Sequence, residues 1–391
     1  MIGQAEKDAV MRVMERGILS GYQGNWSDNF YGGTEIQALE REWQEYFGVK
    51  HAITCNSATS GLWLACSAIG LNHNFNKVQQ MTYYKMDPCK FPESIMLAEY
   101  HPDEVIVTPY SMTCSASIPL HFGAKPVFAD IEKDYYCLDP KSVERAITER
   151  TRAIIVVDLF GQPYDAEYMY YIAEKYGKKY GHKIYVIEDA AQAIGAKYKG
   201  YFAGTLGDIG VYSLNRHKHI QCGEGGIVVT DNDELAIKIR LAMNHSEAVV
   251  NDISKKDNRA DILKYPPPFS LVGMNMRMTE LSAAIAREQL KKLDSILENI
   301  REHAKYFPVK VRPGCEHSYY RYAYDKNSEL NAFRLNGIVN NLDDYNFKNH
   351  YITPLFKLPL FKSLGYDQEQ CPICQKTEED IVLAWLKGSD M

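Results

Sequence analysis

One lysine, Lys218, sits between two histidines in "SLNRHKHIQCGEGG", just ahead of a Gly-Glu-Gly-Gly turn. A lysine so placed serves as a surface charge, a phosphate ligand or an amine that bonds covalently to an aldehyde. Two other polar stretches bear on the choice. In "TCNSATSGLWLAC", Asn56, Ser57, Ala58, Thr59, Ser60 and Gly61 stand between a strand-like run and an apolar helical one. Small residues there let a ligand approach the backbone, and free amides and hydroxyls at a helix start form an anion cradle. The same residues also make an ordinary helix cap. In "VIEDAAQAIGA", Glu188 and Asp189 close a strongly apolar strand, with Gln192 just beyond. An acid at a strand end often caps the next helix. A buried carboxylate opposite a heteroaromatic nitrogen does something else: it holds that nitrogen protonated.

The combination is more specific than its parts. An anion cradle, a strand-end aspartate and a lysine 29 residues further on are three handles for one ligand with a phosphate, a ring nitrogen and an aldehyde. Pyridoxal 5'-phosphate carries all three, and its aldehyde takes a lysine amine. Ser213, shortly before Lys218, adds a hydroxyl for the phosphate.

Such groups need a scaffold, and the chain supplies alternating segments. "HAITC", "EVIVTP", "KPVFADI", "TRAIIVVDLFG", "KIYVIEDAAQ", "IGVYSL" and "GGIVVTD" read as strands; "LEREWQEYFG", "GLWLACSAIG", "KSVERAITER" and "AEYMYYIAEKYGKKY" read as helices. Short, near-continuous apolar runs are buried on both faces, the mark of a mostly parallel sheet covered by helices. The expected class is α/β. Ligands of such sheets bind beyond the carboxyl ends of the strands, where the three polar stretches lie. With 391 residues, two domains are expected. The divisions predicted are an N-terminal helix and substrate loop over 1–34, a large α/β domain over 35–255, and a linking helix with a small α+β domain over 256–391. "RMTELSAAIAREQLKKLDSILENIREHAKYF" reads as one long helical stretch, while "YYRYAYD", "FRLNGIVNNL" and "EEDIVLAWLKG" belong to the small part. Residues 72–100 have weak periodicity and read as a surface insertion, a lid or an oligomer contact.

Composition excludes several classes. Hydrophobic residues make up 46% and charged ones 24%, ordinary for a protein with a buried core. A net charge of −6 argues against nucleic acid, whose binders cluster excess Lys and Arg. No run approaches the ~18 apolar residues a membrane helix needs. The charged N-terminus reads as an amphipathic helix, not a signal peptide. The nine cysteines are scattered and read as reduced thiols of a cytoplasmic protein. Cys371 and Cys374 form a C-x-x-C, but a zinc site needs a second ligand pair and His350 is the nearest histidine. No metal is expected.

The motifs together resemble the DegT/StrS family of sugar aminotransferases, within the fold-type I pyridoxal-phosphate enzymes. "GILSGYQGNWSDNFYGG", "FGVKHAITCNSATSGL", "GAKPVFADIEKDYYCLDP", "VVDLFGQPYD", "IEDAAQAIGA", "GTLGDIGVYSLNRHKHIQCGEGGIVVTD", "LVGMNMRMTELSAAIAREQLKKL" and "ITPLFKLPLF" match its motifs in order. The resemblance implies a seven-stranded sheet and gives each residue a role. Lys218 would form the Schiff base and move the proton; Asp189 would pair with the pyridinium nitrogen; Gln192 would bond the phenolic oxygen. Ala58, Thr59 and Ser213, with Ser57 in the same turn, would hold the phosphate. Asn244 would reach the phosphate across a homodimer interface. Relatives stack an aromatic on the ring from the segment that here reads "TPYSMTCSAS"; by spacing the equivalent is Met112, with Tyr110 nearby. The implied donor is L-glutamate and the implied acceptor a nucleotide-linked keto-sugar, giving an amino sugar for glycan or polysaccharide assembly. Tyr22, Asn25, Tyr31, Asn275 and Arg277 are the acceptor-site candidates. Some relatives carry histidine in place of the lysine and act as dehydratases, so the register of His217, Lys218 and His219 matters; counting back from the glycine turn favours Lys218. A non-catalytic cofactor or sugar sensor and a structural partner protein are the other readings.

Overall fold

A computed structural model describes residues 2–25, 27–71, 102–246, 272–326, 345–348, 351–366 and 371–386. The 72–100 stretch, "FRLNGIVNNL" and His350 lie outside the described residues.

In chain order the strands are β1 (His51–Cys55), β2 (Glu104–Val107), β3 (Lys125–Phe128), β4 (Thr151–Val157) and β5 (Tyr185–Asp189). There follow β6 (Lys197–Tyr198), β7 (Tyr201–Phe202), β8 (Ile209–Ser213) and β9 (Gly226–Thr230). The last are β10 (Cys315–Glu316), β11 (Tyr322–Asp325), β12 (Tyr345–Lys348) and β13 (Ile381–Leu386). Seven form one sheet in the order β1-β9-β8-β5-β4-β2-β3. β3, β2, β4, β5 and β8 run parallel; β9 lies antiparallel between β8 and β1. The β4 run "RAIIVV" shows why it is apolar throughout. Ile155 and Val157 enter one core with Leu62, Leu64 and Val211, while Ile154 and Val156 enter another with Met169 and Ile172. A strand alternates its faces with period two, so a sheet covered on both sides needs apolar residues at every position.

The register brings the polar stretches to one edge. Cys55 pairs with Gly226, and Gly226 with Ser213; Val157 pairs with Asp189, and Asp189 with Val211. Asp189, Ser213 and the turn after Cys55 therefore share the carboxyl edge of the sheet.

Where one long helix was expected, the chain forms two, Glu280–Leu290 and Leu293–Ala304. The Lys292 N–H donates to the Gln289 carbonyl, three residues back, which tightens the turn in the manner of a 3₁₀ helix. A long-range contact holds it there: the buried Glu6 carboxylate of the N-terminal helix Gln4–Arg16 accepts from both Lys292 Nζ and Gln289 Nε2. Beyond the turn Ile300 and Ala304 pack on Tyr322, Tyr324 and Ala384 of a second sheet, ordered β11-β13-β12. Among the described residues no helix is long and apolar enough to cross a membrane, and no group of His, Cys, Asp and Glu could hold a metal ion.

Candidate active site

The Asn56–Gly61 turn opens the helix Ala58–Ala68. Ser57 Oγ accepts from the Ser60 N–H at 3.1 Å, so the cap forms. Capping uses one of the free amides of a first helical turn; those of Ala58 and Thr59 remain for an anion. Gly226 explains the close seating of this turn on the sheet: a Cβ there would come within 2.6 Å of the Ser57 carbonyl carbon. Ser213 is buried and its Oγ accepts from the Asn215 N–H, leaving its hydroxyl proton to donate.

Asp189, at the end of β5, is 5% exposed. Its Oδ1 accepts from the Ala191 N–H at 3.1 Å. Burial raises the Asp189 pKa, opposed by the Ala191 amide and by the nearby Lys218 ammonium. An opposite charge beside a buried carboxyl favours its ionised form. Lys218 is half-buried, its Nζ 4.6 Å from the centre of the Tyr320 ring.

Of the two sulfur side chains nearby, the fold sets Cys114 against these charges. Its thiol is pushed up to about 11 by burial and then by Asp189, bonds Thr59, and feels Lys218. Met112 is 54% exposed. The helix Cys114–His121 begins at the cysteine, and each residue turns the side chain by about 100°. Tyr110 is fully buried and meets Tyr351 edge-on, with centroids 5.9 Å apart.

Gln192 is buried between two partners. Its Oε1 accepts from the Phe160 N–H at 2.9 Å, and its Nε2 donates to Tyr351 Oη at 2.8 Å. The amide that would meet a ring oxygen is thus oriented by the loop after β4 and shared with Tyr351. Neither Tyr351 nor Tyr320 was signalled by the sequence: Tyr320 lies in the aromatic-rich "YYRYAYD", and Tyr351 stands just ahead of "ITPLFKLPLF" with no polar motif around it.

The two histidines are not equivalent to the lysine. His219 is buried, its Nε2 bonded to the Ser318 carbonyl at 2.9 Å, and burial lowers it to about 4. His217 is exposed. Lys218 is the member of the trio beside Asp189.

Three of the acceptor-site candidates, Tyr22, Asn275 and Arg277, gather with Asn244 in a second cluster. Asn244 is fully buried; its Nδ2 donates to the Gln23 carbonyl at 2.8 Å and its Oδ1 accepts from Arg277 Nη1 at 3.3 Å. Arg277 Nε donates to Asn275 Oδ1 at 3.0 Å, and its guanidinium lies 5.9 Å from the Tyr22 ring centre. Tyr22 Oη bonds Thr54 Oγ1 at 3.0 Å. Tyr31 lies over Arg240 at 5.1 Å, and Asn25 is exposed. The Asn56 N–H donates to the Met276 carbonyl at 2.8 Å, which moors the cluster beside the phosphate turn. Among the described residues no hydrogen bond joins it to Lys218, Asp189 or Gln192.

Beneath it lies a buried ion pair. Arg240 Nη2 meets Glu40 Oε2 at 2.7 Å, and Glu40 Oε1 accepts from the Thr54 N–H at 2.9 Å. Removing one partner leaves the other charge buried and unpaired, which costs about 3–5 kcal/mol. Arg240→Leu should lower unfolding free energy by that amount in denaturant titration, with Arg240→Leu/Glu40→Met recovering much of it. Equal loss in single and double variants would contradict the pairing.

A second buried acid pair backs Asp189. Asp158 Oδ2 and Glu188 Oε1 are buried and meet no donor among the described residues, and each carboxyl acts on the other. Two such acceptors in a dry interior must share a proton. Burial, then repulsion by Glu188, pushes Asp158 well above the carboxylate range; burial raises Glu188. A raised native pKa gives stability that is full below the ordinary carboxylate value, about 4, and is lost as pH rises through the raised value. Asp158→Asn offers Glu188 an amide N–H instead. As pH rises above about 4, the variant's Tm should fall less than the wild type's, and identical slopes would refute the shared proton.

A sheet-edge carboxyl beside a lysine, an anion turn and an oriented amide is the arrangement of a pyridoxal-phosphate enzyme, and these residues fit that group. The sequence profile of the DegT/DnrJ/EryC1/StrS aminotransferase family matches residues 20–82 and 95–385. The chain belongs to that family. It is 31% identical over 391 aligned residues to the "Pleiotropic regulatory protein" of Geobacillus stearothermophilus, covering 96% of this chain and 88% of that one. It is 33% identical over 292 residues to the GDP-perosamine synthase of Caulobacter vibrioides, covering 75% and 63%. The sugar aminotransferase CalS13 from Micromonospora echinospora superposes with a TM-score of 0.74 at 21% identity, covering 100% of this chain and 95% of that chain.

Proposed function

We propose that this chain moves the amino group of L-glutamate to a nucleotide-linked keto-sugar, with pyridoxal 5'-phosphate held at Lys218, and yields an amino sugar for glycan or polysaccharide assembly. The observation that carries this is the placement of Asp189, buried at the carboxyl end of β5, within electrostatic reach of the Lys218 amine. The family membership and the nucleotide-sugar chemistry in the name of the Caulobacter relative support the acceptor class.

The cofactor, when bound, supplies an aldehyde that exchanges amines and a ring that withdraws electrons. The chain's residues do the rest. Lys218 would hold the cofactor through its Nζ and, once freed by the donor's amine, would move the proton at the donor's α-carbon. Asp189 keeps the ring nitrogen protonated. Gln192 Nε2, already oriented by the Phe160 N–H and Tyr351, donates to the phenolic oxygen. The amides and hydroxyls of Ser57, Ala58 and Thr59, with the Ser213 hydroxyl, hold the phosphate. We place Cys114, with Met112 at the rim, on the ring face that relatives cover with an aromatic; sulfur is polarizable enough to pack there.

The separate Asn244–Asn275–Arg277–Tyr22 cluster supports a homodimer with shared sites, in which one protomer's cluster completes its partner's pocket. Met11, Met14, Ile18, Leu19, Val272 and Met274 are 45–66% exposed, an apolar surface suited to such an interface. A C₂ pair would bury it twice over. We assign Tyr22, Tyr31, Asn25, Asn275 and Arg277 to the acceptor side of that pocket.

The test is a glutamate-dependent assay over a panel of nucleotide-linked keto-sugars, with Lys218→Ala as control. An amino sugar from at least one member, absent with the control, is expected. Conversion of glutamate with no transfer to any keto-sugar would overturn the acceptor class, and failure to take up cofactor would overturn the whole assignment.

A further inference from the structure

Arg321 is a half-buried cation that no carboxylate meets among the described residues. It lies just before β11, its main-chain N–H donating to the Phe160 carbonyl at 3.3 Å and its Nη1 to the Tyr320 carbonyl at 2.7 Å. Its guanidinium is held between two rings, 4.3 Å from the centre of Tyr320 and 5.1 Å from that of Trp385. Elsewhere the chain treats such arginines differently. Arg150, Arg240, Arg287 and Arg312 each pair with a glutamate. Arg301 gives Nε and Nη2 to the His317 and Gly195 carbonyls. Among the described residues Arg321 Nε and Nη2 meet no acceptor. Burial lowers its pKa, so an anion there would relieve the desolvation.

Its position ties it to the site. Lys218 Nζ and Arg321 Cζ both lie against one ring, at 4.6 Å and 4.3 Å from the centre of Tyr320, and so lie within about 9 Å of each other. Arg321 also acts on the Tyr351 hydroxyl, the partner of Gln192. Two cations on one rigid aromatic wall match a ligand that presents an amine-derived nitrogen at the lysine and an anion a few bonds away. A guanidinium fork receives a carboxylate by two parallel hydrogen bonds.

We propose that Arg321 binds a carboxylate of the amino donor and so selects amino acids for the first half of the reaction. The assignment rests on the transaminase function proposed above. A phosphate or carboxylate on the keto-sugar presents the same anion class, and the two half-reactions separate these sources.

The experiment uses wild type, Arg321→Met and Arg321→Lys, each loaded with pyridoxal phosphate. Absorbance of the lysine-bound cofactor reports loading and an intact fold. Three readouts follow: calorimetric titration with succinate, a carboxylate without an amine; single-turnover reaction with L-glutamate; and single-turnover reaction of the aminated enzyme with keto-sugar. Arg321→Met should weaken both succinate binding and half-saturation by glutamate at least about tenfold. Arg321→Lys should fall between, and the keto-sugar step should keep its half-saturation. Unchanged succinate and glutamate affinities in a loaded Arg321→Met, or a loss confined to the keto-sugar step, would overturn the proposal. Succinate bound by wild type and not by Arg321→Met, in an enzyme that leaves glutamate unreacted, would support the anion site and refute the transaminase function.

Discussion

Lys218→Ala is expected to lose the visible absorbance of lysine-bound cofactor and at least about 10³-fold in turnover. The loss has two sources. In the proposed reaction the side chain supplies the covalent attachment and moves the proton; positioned proton transfer alone contributes about 10²–10⁴-fold. Lys218→Arg separates attachment from charge. It keeps a cation near Tyr320 and Asp189, but a guanidinium cannot lose its proton in a protein and forms no bond to the aldehyde. The arginine variant should be as inactive as the alanine one. Recovery of even a tenth of wild-type turnover by arginine would mean that position 218 acts only as a charge. Neither substitution should disturb the fold, because Lys218 is half-buried and makes no ion pair among the described residues.

Asp189→Asn is the second large effect. The amide keeps the shape and can still accept from the Ala191 N–H, but it carries no charge to hold the ring nitrogen protonated. Loss of one preorganised electrostatic group costs about 10²–10³-fold, and the expected fall in glutamate turnover is of that size. Stability should move the other way. Asp189 is buried and its charged form is disfavoured there, so Asp189→Asn should keep or raise the Tm of the cofactor-free protein. A variant that lost activity together with its fold, or one that kept full turnover, would contradict the assigned role. Lys218 and Asp189 act on one group, so the double variant should be little worse than Lys218→Ala.

The sheet was legible because burial on both faces leaves its mark at every position. "TRAIIVVDLFG" and "KIYVIEDAAQ" are apolar without alternation, and β4 and β5 are central and parallel. The ends of such strands are where side chains become polar, so Asp189 and Ser213 announced themselves. The break at Lys291–Lys292 was not legible. It depends on Glu6, which is 286 residues away in the chain and unrelated to any local propensity. Cys114 was not signalled: spacing points to Met112, which is exposed, while the Cys114 thiol lies near Thr59 and within electrostatic reach of Asp189. Tyr351 meets Gln192 across 159 positions, and Tyr320 and Arg321 lie in "YYRYAYD", where alternating aromatics signal a strand and nothing about what its side chains approach.

The most direct measurement is reductive trapping. Wild-type protein incubated with pyridoxal 5'-phosphate, treated with borohydride, digested and mapped by mass spectrometry should carry the reduced cofactor on the peptide containing Lys218, and prior addition of L-glutamate should prevent the labelling. A label on another lysine, or none on Lys218, would contradict the site described here.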